Sequence, residues 1–148
     1  MKPIFILFAL LLFACQESKT PTQTFEKEEQ AILSVINKQT DGWNRGSVDE
    51  FMLGYWNSDS LKFITKNGIN NGYNAVSEQY KKSYPTPKEM GTLNFVNLKV
   101  TPLDRNNELA NVTGNWVVSK DSTQNSGLFS LVLKKMDNNW KIIIDHTW

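Results

Sequence analysis

A chain of 148 residues has room for one hydrophobic core, which excludes most multidomain enzymes. Sixteen Lys and Arg against fifteen Asp and Glu leave a formal charge of +1, too even a balance to mark nucleic acid or an anionic membrane surface as the partner. One cysteine and one histidine exclude a disulfide framework and any metal site built on several Cys or His ligands.

The chain opens with Met1-Lys2-Pro3, an apolar run from Ile4 to Phe13, and Ala14-Cys15. A short positive start followed by a brief apolar stretch is the form of an export signal. The run is about half of the ~20 residues a permanent membrane helix needs. Leu12-Phe13-Ala14-Cys15 resembles the lipobox of bacterial lipoproteins, in which the cysteine thiol is acylated and the chain is cut just before it. That resemblance implies an exported protein of the bacterial cell envelope, with residues 1–14 removed and Cys15 as the lipid anchor, its only contact with a membrane. Residues 15–23, polar and interrupted by Pro21, read as a tether to a single domain at 24–148.

From Phe25 to about Trp43, Ile32, Val35, Ile36 and Trp43 recur at helical spacing, with acids in the opening turns. Asn44-Arg45-Gly46 ends that helix. Ser47-Val48-Asp49-Glu50 then has the form of a capping box and predicts a second helix burying Val48, Phe51, Met52 and Tyr55. Leu61 to Ile69 reads as a short hairpin around Asn67-Gly68. Tyr73, Val76, Tyr80 and Tyr84 mark a third helix, stopped by Pro85 and Pro87. Beyond Gly91 the period drops to two, predicting strands over Thr92–Leu103, Glu108–Lys120, Gly127–Met136 and Trp140–Trp148. Leu93 and Phe95 are out of phase with Leu98 and Val100, which predicts a bulge in the first of them. Helices segregated to one face of a curved antiparallel sheet make an α+β architecture.

This order resembles the nuclear transport factor 2-like superfamily, and more narrowly its SnoaL-like group, domain of unknown function 4440. The resemblance runs from Phe25 to Trp148. It is carried by Trp43-Asn44-Arg45-Gly46-Ser47-Val48-Asp49-Glu50-Phe51-Met52, Tyr55-Trp56, Gly72-Tyr73-Asn74-Ala75, Tyr80 with Tyr84-Pro85, and Trp140 to Thr147. It implies a cone-shaped, cystatin-like fold whose sheet wraps the helices around a pocket. It also implies dimerisation through the outer sheet face, for which Leu131, Leu133 and Ile143 are the apolar candidates.

Strict alternation on the last strand points Trp140, Ile142, Ile144 and His146 one way and Asp145 the other. With the first set facing the cone, the expected pocket comprises Trp43, Tyr55, Trp56, Tyr80, Trp116, Trp140 and His146. His146 is the only side chain whose ordinary pKa suits proton transfer near neutrality, so it is the candidate acid or base. An acid inside the cone would come from Asp41, Asp59 or Glu78. No Gly-rich phosphate loop and no Gly-x-Ser-x-Gly elbow is present, and no cofactor or metal is expected.

Two functions fit. One is a lipid-anchored cone that binds a small apolar or amphipathic molecule, or a dimerising interaction module, without turnover. The other is an isomerase, cyclase or dehydratase of the SnoaL-like kind using His146. The lack of a full catalytic constellation favours the first.

Overall fold

The computed structural model describes residues 21–148, and side chains from Phe25 onward. The signal segment, Cys15 and residues 16–20 of the tether lie outside the described residues. Helix α1 (Pro21–Asn44) begins at Pro21, within the expected tether, where a first-turn proline loses no helical hydrogen bond. Ile32, Ile36, Gln39 and Trp43 form its buried stripe. Helix α2 (Val48–Met52) starts as its capping box predicts, with the Ser47 side chain accepting from the Glu50 amide at 3.1 Å. The reciprocal half of the box is not made, because the Glu50 carboxylate turns to the Arg45 guanidinium.

Strands β1 (Lys62–Thr65) and β2 (Gly68–Asn71) form the expected hairpin. Helix α3 (Tyr73–Ser83) and a short helix α4 (Pro87–Met90) follow. Where two prolines read only as a stop, Thr86 caps α4 by accepting from the Glu89 amide. The rest of the chain is four long strands: β3 (Thr92–Pro102), β4 (Leu109–Lys120), β5 (Thr123–Met136) and β6 (Asn139–Thr147). β5 starts four residues before its first apolar alternation, because Lys120 pairs with Thr123 across a two-residue turn.

The six strands make one sheet in the order β2-β1-β6-β5-β4-β3. It is mixed and not purely antiparallel, since β1 lies parallel to β6. Its inner face packs on α1, which lies against β3 and β6, burying Leu93, Ala110, Val112, Val118, Phe129, Leu131, Leu133 and Ile142. Leu131 and Leu133 therefore belong to the core and supply nothing to the outer face. The β3 bulge lies between Val96 and Lys99, with Asn97 in the left-handed region at φ 56°. A second bulge, not foreseen, interrupts β6. Val132 pairs with Ile144 but the next residue, Leu133, pairs with Ile142, so Ile143 is left over.

Two polar ties hold the helices to the sheet. Asn44 both accepts from and donates to the backbone of Leu93, at 2.7 and 3.0 Å. Glu28 accepts from Trp140 Nε1 at 2.8 Å and from Lys135 Nζ at 2.7 Å. Burial alone would raise the Glu28 carboxyl, but these two donors outweigh it and hold the carboxyl below the usual carboxylate range.

Candidate functional site

The helices and the concave sheet face enclose a cavity of about 230 Å³. That is slightly below the roughly 300–1,000 Å³ of drug-sized sites, and it suits a small ligand. Its wall on the helical side is an aromatic cluster. Trp43 meets Phe51, Tyr84 and Tyr80 edge-on at centroid distances of 5.2, 4.8 and 6.1 Å, and Tyr80 also meets Phe51 at 5.1 Å and Phe63 at 5.5 Å. Trp43 Nε1 donates to the Met90 carbonyl at 3.2 Å, which sets the orientation of the indole. On the sheet side Phe95 and Phe129 meet edge-on at 5.1 Å.

The polar end of the cavity is Asp145, 5% exposed. Tyr55 reaches it because residues 54–56 run beside β6. The Ile142 amide donates to the Gly54 carbonyl at 3.0 Å and the Trp56 amide donates to the Ile142 carbonyl at 2.9 Å. With its backbone held there, the Tyr55 hydroxyl donates to Asp145 Oδ2 at 2.6 Å, a short charge-assisted geometry. Asp145 Oδ1, equally buried, has no hydrogen-bond partner among the described residues. Burial pushes the Asp145 carboxyl up to about 7, against the opposing pull of the Tyr55 hydrogen bond. Burial and the neighbouring carboxylate raise both Tyr55 and Tyr80 well above the ordinary phenol range.

Trp116 Nε1 is a second buried polar atom without a partner among the described residues. Its indole lies over Gly127, where a Cβ would stand 2.7 Å from Nε1 and 2.3 Å from the Trp148 carbonyl oxygen.

Of the seven residues expected in the pocket, Trp43, Tyr55, Tyr80 and Trp116 line the cavity. The other three do not. Trp140 turns to Glu28 and lines a separate surface groove, Trp56 is half-buried beside β6, and His146 is exposed on the outer face against Trp148 at 4.5 Å. The cause is Ile143: the extra residue reverses the alternation after Ile142, so Asp145 and Thr147 face the cavity and His146 faces away. Asp145 and His146 do lie on opposite faces, as alternation requires, but the faces are exchanged. His146 accordingly cannot act as an acid or base inside the cone, and the acid there is neither Asp41, Asp59 nor Glu78, all exposed, but Asp145. The one sign available beforehand was the run Ile142-Ile143-Ile144, which is compatible with a bulge at any of its positions.

Among the described residues no group of three His, Cys, Asp or Glu side chains is placed to hold a metal ion. The arrangement can receive a hydrogen-bond donor at Asp145 Oδ1, or exchange a proton there, in largely apolar surroundings.

No protein-family model matches the chain, nor does any curated protein sequence. Solved structures do. A nuclear transport factor 2-like protein of unknown function from Shewanella oneidensis MR-1 is 32% identical, over 80% of this chain and 97% of that one, with a TM-score of 0.76. A cystatin-like domain of unknown function from Nostoc punctiforme is 22% identical, over 82% and 76%, with a TM-score of 0.68. A nuclear transport factor 2-like protein from Salmonella enterica is 16% identical, over 83% and 91%, at 0.67, and like the preceding one speaks for the fold alone. A bulged sheet closed over helices around one cavity, joined to the 32% identity with the Shewanella protein along nearly its whole length, makes this chain a member of the nuclear transport factor 2-like family.

Proposed function

We propose that this protein binds a small, largely apolar ligand in the cone, with Asp145 and Tyr55 as the polar anchor. The observation that carries the reading is a cavity walled by aromatic side chains around a buried carboxylate with one oxygen unpartnered. Native buried polar atoms are nearly always satisfied, so an orphan oxygen on a residue that lines the cavity, reached by a small side-chain turn, is a place for a ligand or water. The test is a panel of one- and two-ring aromatic fragments followed by tryptophan fluorescence. Several should bind, and Thr65→Trp, which puts an indole at a half-buried lining position, should weaken them at least tenfold, while His146→Ala should leave them unchanged. Absence of any binder, or undiminished binding in Thr65→Trp, would overturn the reading.

Proton-transfer catalysis is the second reading, favoured by the Asp145 carboxyl lying near 7, where a general acid or base works best. It moves the catalytic role from His146 to Asp145. In that case any turnover found would vanish in Asp145→Asn and persist in His146→Asn.

Export and anchoring through Cys15 complete the proposal, placing the cone on the cell envelope. The support is the lipobox-like Leu12-Phe13-Ala14-Cys15 and the fact that the chain's one cysteine stands where a lipid would be attached. Labelled palmitate should enter the wild-type protein and not Cys15→Ala; label retained in the variant would refute it. We also propose a homodimer through the outer sheet face, supported by Leu128 and Trp148, which stand exposed there.

A further inference from the structure

The lining of the cavity has an uneven chemistry. Of the eighteen described residues that line it, nine are aromatic, one is an acid, and none is Lys, Arg or His. The groups facing Asp145 from the neighbouring elements are phenols, Tyr55 after α2 and Tyr80 on α3, together with Phe63 from β1 and Leu131 from β5. Among the described residues nothing within the wall balances the carboxylate. Tyr55 supplies one hydrogen bond, but it brings no positive charge, and Oδ1 receives nothing among the described residues.

The three ligand classes fare differently in such a site. An anion meets the carboxylate and the negative faces of the rings. A neutral donor satisfies Oδ1 and leaves the charge uncompensated. A cation with an N–H satisfies Oδ1, neutralises the carboxylate and is attracted by the ring faces as well. The rim already shows such an attraction, with Lys120 Nζ lying 5.3 Å from the centroid of Tyr84.

Resting on the reading of the cone as a ligand site, we infer that its ligand is a small protonated amine, whose N–H donates to Asp145 Oδ1 while its apolar substituent lies among the rings. A quaternary ammonium, having no N–H, would leave Oδ1 unsatisfied and bind less well. The carboxyl is held up to about 7 by its burial, and an alkylammonium loses its proton only near ~10. Both partners are therefore charged between those limits. Below about 7 the amine must displace a proton from Asp145, so its affinity falls by up to tenfold for each pH unit.

Benzylamine, benzyl alcohol and benzoate share one ring and differ in charge, and their binding to the folded protein is measurable by calorimetry at about pH 8 and pH 5.5. Benzylamine is expected to bind at least tenfold more tightly than benzyl alcohol at pH 8, to lose most of that advantage at pH 5.5, and to weaken at least tenfold in Asp145→Asn. His146→Ala serves as the unchanged control. If benzyl alcohol or benzoate equals benzylamine at pH 8, the amine inference fails while the cone remains a ligand site. If none of the three binds, the inference and the binding reading fall together. The two-pH comparison on the wild-type protein decides the matter even if Asp145→Asn does not fold.

Discussion

Asp145 is costly to keep. A carboxyl enclosed by aromatic side chains loses hydration when it ionises, and one phenolic hydrogen bond restores only part of it. In the unfolded chain the same group titrates near ~3.9, and in the folded protein at about 7. Between those values the folded state holds a proton that the unfolded state has lost. Stability contributed by this group is thus full below about pH 4, declines as pH rises to about 7, and is flat above. Three pH units correspond to a ceiling of about 4 kcal/mol. In Asp145→Asn the amide oxygen can still accept from Tyr55, while an unpaired amide NH₂ takes back roughly 1–3 kcal/mol of the gain. Denaturant melts should therefore show Asp145→Asn more stable than wild type by about 1–3 kcal/mol at pH 8, and no more stable than wild type at pH 3.5. Equal pH dependence in the two proteins would show that the buried carboxyl carries no such cost. A residue that destabilises the empty protein and faces its cavity is what a functional group looks like in energetic terms.

At the scale of elements, what the sequence revealed depended on whether apolar residues could report their phase. In β3, Leu93 and Phe95 against Leu98 and Val100 show opposite phases, and the bulge between them follows from the side chains alone. In β6, Ile142, Ile143 and Ile144 are identical, so alternation gives no sign of which one is extra, and the error passes to every residue beyond. Trp43, Tyr55, Tyr80 and Trp116 were legible because the helical or strand spacing of their own segments is not broken by a bulge. Trp56 and Trp140 were misassigned for a different reason: their surroundings are set by partners distant in the chain, Ile142 and Glu28. Gly127 reads in the sequence as the start of a strand, but it stands opposite Trp116 on β4, and its missing side chain leaves room for the indole. A methyl there would meet the Trp148 carbonyl and the Trp116 ring together, and one of the two is backbone. Gly127→Ala should cost about 1–3 kcal/mol in denaturant melts and change the Trp116 emission, as overpacking at a strand-to-strand contact does. A variant with wild-type stability and emission would mean that the indole has another place to go.

For the whole molecule, the exchange of faces on β6 gives the outer sheet surface a different composition from the one alternation suggested. Leu131 and Leu133 are withdrawn into the core, while Leu128 and Trp148, 46% and 52% exposed, stand beside each other through paired backbone hydrogen bonds of 2.9 and 3.1 Å. His146 packs at a tilt against Trp148, and Val132 pairs with Ile144 farther along the same two strands. These side chains form an apolar patch with a polar surround that includes Asn115 opposite Leu128 and Ser130 opposite His146. A standard interface buries about 800 Å² on each partner, so the patch would be the centre of a contact whose edge is polar. A two-fold pairing would bring each Trp148 and Leu128 onto the same patch of a second copy. Exposed as they are, neither side chain adds much to the stability of a lone protomer, so removing them separates association from folding. Light scattering on residues 24–148 should give the mass of a dimer at high protein concentration. Leu128→Lys, which would set like charges together across a two-fold contact, should give a monomer whose thermal unfolding matches that of a wild-type sample diluted below its dissociation constant. A wild-type domain that remains monomeric at high concentration would end the dimer proposal and leave the patch as ordinary exposed surface.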